Sequence, residues 1–289
     1  MKLLVTGGAG FIGVNFVRWL LAETAHSVVV FDALTYAGNL ESLAEVDEAA
    51  AYADRYRFVR GDVRDKAALE AVVKTAEVEA IVHFAAESHV DRSIVDPTDF
   101  LTTNVLGTQV VLQVAREAGN LRVLHVGTDE VYGDLLPTDP PFSETTPLAP
   151  NSPYAASKAS ADFLCRAAWR THGQDVLITR CSNNYGPFQF PEKLIPLMIV
   201  RALNDQPLPV YGDGQQVRDW LFVTDHARAI LAVLESGEAG SIFNVGGNAE
   251  RPNLAVVEGI LALLDKPRTL IEHVKDRPGH DRRYAINAE

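Results

Sequence analysis

Cysteine is scarce in this chain: Cys165 and Cys181 are the only two among 289 residues. Two thiols cannot supply a disulfide framework, and they predict a protein of a reducing compartment. Basic residues are outnumbered, 26 Lys and Arg against 38 Asp and Glu, for a formal net charge of -12. That deficit argues against a nucleic-acid partner, which needs a broad basic face, although a few clustered arginines could still hold a small anion. No apolar run reaches transmembrane length, and residues 1–6 lead straight into glycines with no signal-like apolar segment. The expectation is a soluble, cytoplasmic protein with no membrane partner. No set of His, Cys and acidic residues has metal-ligand spacing, so no metal is expected. There is no internal repeat and no low-complexity tract.

What is present is an ordinary globular balance, 47% apolar and 22% charged. Through the first half, short apolar runs alternate with amphipathic stretches, the pattern of βαβ units in a parallel sheet. Residues 3–5, 28–31, 57–59, 80–84, 123–126 and 176–179 read as strands. A helix over 11–21 follows the first glycine loop. Asp96-Pro97 and Ser152-Pro153 each read as an N-cap with proline at the first helical position. The first of these helices should end at Gly119 and the second near His172. The helix from Pro97 is apolar on more than one face (Phe100, Leu101, Val105, Val110, Val111, Leu112, Val114), more than packing on one sheet needs. Either a partner subunit or another part of the same chain would cover the excess.

Beyond Cys181 prolines become dense, at 187, 191, 196, 207 and 209, and the alternation fails. Residues 221–234 and 241–245 then read as a helix and a strand that return to the main sheet. The expected fold class is α/β. A doubly wound parallel Rossmann sheet takes residues 1–181 and 219–247. A smaller, discontinuous C-terminal substrate domain takes 182–218 and 248–289.

Residues 6–13 read Thr-Gly-Gly-Ala-Gly-Phe-Ile-Gly. Gly7, Gly10 and Gly13 permit a tight turn and close approach of a diphosphate to a helix N-terminus. A glycine fingerprint alone is weak. Here it follows a strand, opens a helix, and is succeeded by Asp32 at the distance expected of a ribose-binding acid. A carboxylate at 32 accepts from both ribose hydroxyls and repels a 2′-phosphate, so NAD is favoured over NADP. Asp62 and Val63 follow the third strand, where an adenine would lie.

Tyr154 and Lys158 stand at i, i+4 near a helix start and share a face. A lysine ammonium, with a nicotinamide cation beside it, would favour the phenolate and lower the phenol from its usual pKa of ~10. Small residues around them (Ala155, Ala156, Ser157, Ala159, Ser160, Ala161) let that helix approach closely. Residues 127–133, Gly-Thr-Asp-Glu-Val-Tyr-Gly, follow a strand and so sit at the C-terminal edge of the sheet, where ligands bind in this architecture. Adjacent carboxylates at Asp129 and Glu130 can be split by environment into one acid and one base. Thr128 adds a hydroxyl able to bond both substrate and tyrosine. Taken alone, the same residues would also make an acid-capped turn.

In combination these motifs resemble the nucleotide-sugar 4,6-dehydratases of the extended short-chain dehydrogenase/reductase family. Further segments carry the likeness: Asp-Ala-Leu-Thr-Tyr-Ala-Gly-Asn at 32–39, Ala-Ala-Glu-Ser-His-Val-Asp-Arg-Ser at 85–93, and Ser-Asn-Asn-Tyr-Gly-Pro at 182–187. Phe-Pro-Glu-Lys-Leu-Ile-Pro at 190–196, Arg-Asp-Trp at 218–220 and Arg-Pro-Gly-His-Asp-Arg-Arg-Tyr at 277–284 extend it over nearly the whole chain. Epimerases of the family usually carry Ser or Thr without the acid pair. Decarboxylases and GDP-mannose dehydratases typically keep only the glutamate. Thr128-Asp129-Glu130 resembles the branch acting on dTDP-glucose.

The resemblance implies site roles. Thr128, Asp129, Glu130, Tyr154 and Lys158 would be catalytic. Tyr154 would take the sugar C4 hydroxyl proton, Glu130 the C5 proton, and Asp129 would protonate the departing C6 hydroxyl. Tightly held NAD, recycled in each turnover, would contact Gly7, Gly10, Phe11, Ile12, Gly13, Asp32, Leu34, Thr35, Asp62, Val63, Ala85, Ala86, Thr103, Tyr154, Lys158 and Asn184. The nucleotide sugar would be held by Ser88, Thr128, Asn183, Lys193, Leu194, Pro209, Tyr211, Arg218, Asn253, Arg277 and His280. Arg218 and Arg277 suit a diphosphate clamp, since guanidinium binds phosphate oxygens bidentately; ion pairs with Asp213 and Asp276 are their other use. His83, His125 and His226 have no such context and read as structural or solvated. A homodimer through the helices starting at Pro97 and Pro153 is implied. Family members usually continue past the position of Tyr284 with a helix closing the substrate domain, so that domain is expected to be cut short at Glu289. Thymine and uracil remain open as the base.

Overall fold

The computed structural model describes residues 1–289. Twelve strands are formed: β1 (Lys2–Thr6), β2 (Ser27–Asp32), β3 (Tyr56–Arg60), β4 (Ala80–His83), β5 (Arg122–Thr128), β6 (Val176–Cys181), β7 (Asn183–Tyr185), β8 (Leu208–Tyr211), β9 (Val217–Phe222), β10 (Ile242–Val245), β11 (Glu250–Pro252) and β12 (Ile271–Val274). Seven make one sheet in the order β10-β6-β5-β4-β1-β2-β3, with every neighbouring pair parallel. The central strands are apolar runs because both of their faces are covered. Leu3, Val5, Val28 and Val30 pack against the helices Phe11–Glu23 and Val223–Ser236 through Val14, Phe16, Leu20, Ile230 and Leu234. Leu4, Val29, Ile81, Val123 and Ile178 point the other way, onto Leu69, Val111, Val114 and Cys165 of the helices Lys66–Thr75, Thr108–Glu117 and Pro153–His172. Each such side chain contributes roughly 1.5–3 kcal/mol on burial. Phe16, fully buried between sheet and helix, would cost about 3–5 kcal/mol if cut to alanine. The strand order reverses between β1 and β4, which opens a crevice at the C-terminal ends of these strands.

The helix ends follow the sequence signals. Ser152 Oγ accepts from the Ala155 N–H, Pro153 stands in the first turn, and Gly173 closes the helix at φ +62°. Asp96 accepts from the Thr98 N–H at 2.9 Å, but the helix begins at Thr98 with Pro97 as its N-cap residue, one position later than expected. The helix that follows is not uniform. Thr98–Phe100 is α-helical, Leu101–Gly107 is wound as a π-helix, and Thr108–Glu117 is α-helical again. The wider π turns rotate the apolar stripe, which is one reason it spreads over several faces in sequence. Phe100, Val111, Leu112 and Val114 are buried within the chain, whereas Leu101 and Leu106 stay exposed.

A second, smaller assembly is built from β11-β9-β7, from the parallel pair β12-β8, and from the helices Leu194–Leu203 and Asn253–Leu263. Met198, Ala202, Leu208, Val210, Val257, Ile260 and Leu261 form its own core. β9 runs unbroken across residue 219, and β10 then rejoins the large sheet. The last residues return to the large sheet's edge: Tyr284, Ala285 and Ile286 are buried against Val131, Tyr132 and Phe142. No helix is long and apolar enough to cross a membrane.

Candidate functional site

A cleft of about 920 Å³ lies over the C-terminal edge of the large sheet. Its deep end is the glycine loop. Gly7 has φ +71°, and a Cβ there would come 2.5 Å from the Ala85 nitrogen. A Cβ on Gly13 would come 2.3 Å from the Gly7 carbonyl oxygen. The backbone is therefore pressed flat, and no side chain fits at either position. Asp32 ends β2 with both oxygens engaged, accepting from the Ala9 N–H at 2.9 Å and the Leu34 N–H at 2.8 Å. Burial raises its pKa and those two backbone bonds oppose the rise. Two of the carboxylate's roughly four acceptor sites are used, so further donors can be accepted. Asp62 is joined to Arg64 at 2.6 Å, a partner not anticipated from sequence, and its pKa is lowered by that bond.

Of the residues expected around a cofactor, Gly7, Gly10, Phe11, Ile12, Gly13, Asp32, Thr35, Asp62, Val63, Ala85, Ala86, Thr103, Tyr154, Lys158 and Asn184 all line this cleft. Leu34 does not. It sits at φ +54° with its N–H held by Asp32.

At the cleft's centre two elements face each other. One is the helix Pro153–His172, whose Tyr154 and Lys158 are both buried. Lys158 Nζ donates to the Val126 carbonyl at 2.9 Å and lies 3.4 Å from His125 Nε2, so it is tied to β5. The chain's own groups push the Tyr154 phenol well above its ordinary pKa, by burial first and then by Glu130, Cys181 and Asp129, with the Thr128 hydroxyl acting the other way. The depressed phenol expected from sequence is thus not produced by the protein groups alone.

The other element is the turn Asp129–Tyr132 at the end of β5, where Thr128 Oγ1 accepts from the Glu130 N–H at 3.3 Å. Gly133 closes the turn at φ +93°, where a Cβ would meet the Ala149 carbonyl at 2.4 Å. Asp129 has its carboxyl held well above the usual range by burial and by the neighbouring charge of Glu130, with Arg218 opposing. Glu130 is raised by burial but drawn back by Arg277, Arg218 and Lys193. The two acids therefore sit in different fields.

The residues expected around a sugar nucleotide divide. Ser88, Thr128, Asn183 and Lys193 line the cleft, and Lys193 Nζ donates to the Ser88 carbonyl at 3.0 Å. Leu194, Pro209, Tyr211, Arg218, Asn253, Arg277 and His280 belong to the smaller assembly's side and do not line it. Tyr211 Oη donates to Asp91 at 3.2 Å, and Arg277 pairs with the other Asp91 oxygen at 3.2 Å. Asp91 thus gathers two of them, a role its place in a longer sequence segment did not reveal. His280 bonds Asp276 at 2.6 Å, while Asp213 is taken by Arg282 and not by Arg218. Arg218 pairs with no carboxylate. It donates to the Asp281 carbonyl at 3.0 Å and stacks over Tyr284 at 4.2 Å.

Asn104 was also missed. In the π-helical segment its side chain accepts from the Glu87 N–H and donates to the Glu87 carbonyl and to Ser157 Oγ, at 2.8, 3.0 and 2.9 Å, joining the cleft wall to the tyrosine helix. The three histidines without context are all buried. His83 bridges Thr6 and Thr108, and His226 meets Asn184. No group of three or more His, Cys, Asp or Glu is placed to hold a metal ion.

Comparison with known proteins is consistent with this geometry. The GDP-mannose 4,6 dehydratase family profile matches residues 4–289. The chain is 50% identical over 312 residues to the dTDP-glucose 4,6-dehydratase of Salmonella typhimurium, covering 100% of this chain and 85% of that one. It is 54% identical over 303 residues to the dTDP-glucose 4,6-dehydratase of Xanthomonas campestris pv. campestris, covering 99% and 85%. Among solved structures, the dTDP-glucose 4,6-dehydratase of Streptomyces venezuelae with NAD bound superposes with a TM-score of 0.95 at 52% identity, covering 100% of this chain and 88% of that one. The UDP-glucose 4-epimerase of Thermus thermophilus, in complex with NAD, gives 0.91 at 30% identity, with 100% and 91% covered.

Proposed function

The chain belongs to the nucleotide-sugar 4,6-dehydratase family, and from that premise we propose that it converts dTDP-glucose to dTDP-4-keto-6-deoxyglucose with a bound, recycled NAD. The observation that carries this reading is the split acid pair. Burial raises both carboxyls, Asp129 further through the charge of Glu130, while Arg277, Arg218 and Lys193 oppose the rise at Glu130. One can give a proton while the other takes one. A C4 epimerase on the same scaffold has no use for a buried neutral acid beside Glu130.

The cradle suits NAD because no Cβ fits at Gly7 or Gly13 and because Asp32 is fixed at the ribose end of β2. Bound there, NAD would supply a reversible hydride acceptor. Tyr154 accepts the C4 hydroxyl proton, with Thr128 orienting the hydroxyl. The 4-keto group then acidifies C5, Glu130 removes the C5 proton, and Asp129 protonates the C6 oxygen, which leaves as water; the hydride taken from C4 would then be returned to C6 while Glu130 gives its proton back to C5. Arg218, Arg277, Lys193, Asn183 and Asn253 hold the nucleotide diphosphate. In support, Arg277 Nε is a buried donor with no partner in the chain, which a phosphate oxygen would satisfy, whereas the unpartnered Asn183 Oδ1 and Asn253 Oδ1 are acceptors suited to a sugar hydroxyl or a base N–H.

The test is turnover of dTDP-glucose by purified protein without added cofactor, compared with UDP-, CDP- and GDP-glucose, reading the alkali-developed absorbance of the 4-keto-6-deoxy product. Product from dTDP-glucose alone supports the reading. Stoichiometric consumption of NADPH would sink it.

Residues 182–218 and 248–289 serve as the sugar-nucleotide region in this reading. The protein works as a cytoplasmic homodimer paired through the helices that leave Leu101, Leu106 and Phe163 exposed. A monomeric mass at micromolar concentration would count against the pairing.

A further inference from the structure

Behind the catalytic cleft lies a buried charged cluster that the reaction as described leaves unused. Asp162 is one helical turn beyond Lys158 and two beyond Tyr154, so all three share one face of the helix Pro153–His172. Its carboxylate is 2% exposed. One oxygen accepts from Arg180 Nε at 2.8 Å. The other has no hydrogen-bond partner and stands 3.6 Å from His125 Nε2, which is itself 3.4 Å from Lys158 Nζ. The carboxylate is therefore paired with the guanidinium on one side, while on the other His125 Nε2 lies between it and the ammonium. Arg180 continues the cluster, since Nη1 donates to Tyr132 Oη at 2.9 Å and Tyr132 belongs to the turn that carries Asp129 and Glu130.

We infer that Asp162 is a positioning residue for the C4 oxidation: its carboxylate keeps Lys158 charged, and Lys158 in turn makes the Tyr154 phenolate accessible. An isolated ammonium in so dry a place is unfavourable, and a buried lysine without a counter-charge loses its proton. Burial does lower the Lys158 pKa, and Asp162 is the foremost group opposing that. The other titratable or charged groups around the ammonium are Cys165 on its own helix, His125 on β5, Cys181 and Arg180 on β6, and His83 on β4. Burial leaves both histidines neutral and both thiols protonated, so none replaces the carboxylate. Asp162 lies about 12 Å along the helix from Tyr154 and acts on it through Lys158.

The inference rests on the dehydratase reading, and the experiment separates the two. In Asp162→Asn, the Tyr154 phenolate should appear at higher pH in an ultraviolet difference titration, with Tyr154→Phe as the blank. Reduced-cofactor formation in a single turnover at neutral pH should fall about tenfold or more, each pKa unit being a factor of ten. Bound NAD content should be unchanged. A merely structural loss would lower the active fraction without moving the titration midpoint. Because Asp162→Asn leaves Arg180 buried and unpaired, the pair variant Asp162→Asn with Arg180→Gln is the second arm. It should shift the midpoint in the same direction. An unmoved midpoint in a folded variant overturns the inference. If the native protein forms no 4-keto-6-deoxy product from dTDP-glucose, it is the dehydratase reading that fails.

Discussion

The two halves of the cleft are built by opposite means. The cofactor half is made of contacts set by regular structure: a glycine loop, strand ends, and one helix face carrying Tyr154 and Lys158. The proposed sugar half, where side chains of the smaller assembly reach residues of the cleft lining, is made of contacts that meet across long stretches of chain. Arg277 reaches Asp91 over 186 residues, Tyr211 reaches it over 120, and Lys193 reaches the Ser88 carbonyl over 105. The first half is rigid because the sheet core holds it. The second depends on a few polar bonds between separate segments. Chemistry should accordingly be governed from the first half and affinity from the second.

The sharpest way to break that comparison is Tyr154→Phe. It should block reduced-cofactor formation in the first turnover, a loss of about 10²–10⁴-fold or more, while substrate still binds. Retained first-turnover chemistry would move the base elsewhere. Asp129→Asn should come next. It spares the oxidation but removes the proton donor, so dehydration slows by roughly 10²–10³-fold and reduced cofactor accumulates. Burial and Glu130 hold the native acid's carboxyl well above the usual range, which favours the protonated donor. If Asp129→Asn and Glu130→Gln both dehydrate at the native rate, the acid pair is only a turn.

A smaller effect tests the rigid half through stability. His83 and His226 are pushed down to about 3, both by burial, with the Lys158 charge adding to His83. Their folded pKa values lie below the unfolded value of ~6.5, so the unfolded chain binds these protons first. The stability they contribute is complete above pH ~6.5 and is lost as the pH falls toward 3, at up to about 1.4 kcal/mol per pH unit for each. Raised carboxyls such as Asp129 act with the opposite sign, so the comparison is best made by difference. The urea midpoint of the native protein should fall more steeply below pH ~6 than that of His226→Gln. Parallel slopes would mean that His226 charges inside the fold.

The same contrast explains what the sequence could reveal. Strands β1, β2, β4, β5 and β6 were legible because burial on both faces forces apolar runs, whereas the edge strand β3 has no fully buried residue; the helix Pro153–His172 was legible because its cap, proline and closing glycine are local. The glycine cradle, Asp32, and the Tyr154 and acid-turn motifs were legible for the same reason. The π-helical turns at Leu101–Gly107 were not, since backbone pitch leaves no residue-type signature of its own. Asn104 and Asp162 escaped for a related reason. Each looks like an ordinary helix residue until the partners from other elements are known. Lys158 was found, but its turn toward Val126 depends on how closely the helix seats on β5. Asp91 was visible only as part of a segment, because both its partners arrive from the far end of the chain.

Asp91→Asn is the gentlest test and the most direct one of the comparison. Its pair with Arg277 is partly exposed, 37% on the acid side and 21% on the arginine side. Such pairs contribute about 0–1 kcal/mol. Removing the carboxylate should leave the melting temperature nearly unchanged and loosen Arg277 and Tyr211, raising KM for the nucleotide sugar by about 5-fold at most. kcat should hold, because Arg277 keeps its charge and still draws Glu130 toward ionisation. Arg277→Gln is the informative contrast. It removes a cation that stabilises the ionised glutamate, so it should raise KM and also shift the pH dependence of dehydration upward. Steady-state kinetics of both variants across pH decide the matter. A kcat loss in Asp91→Asn with KM unchanged would mean that the sugar half reaches the reacting carbons through Asp91, and the division of labour between the two halves would have to be withdrawn.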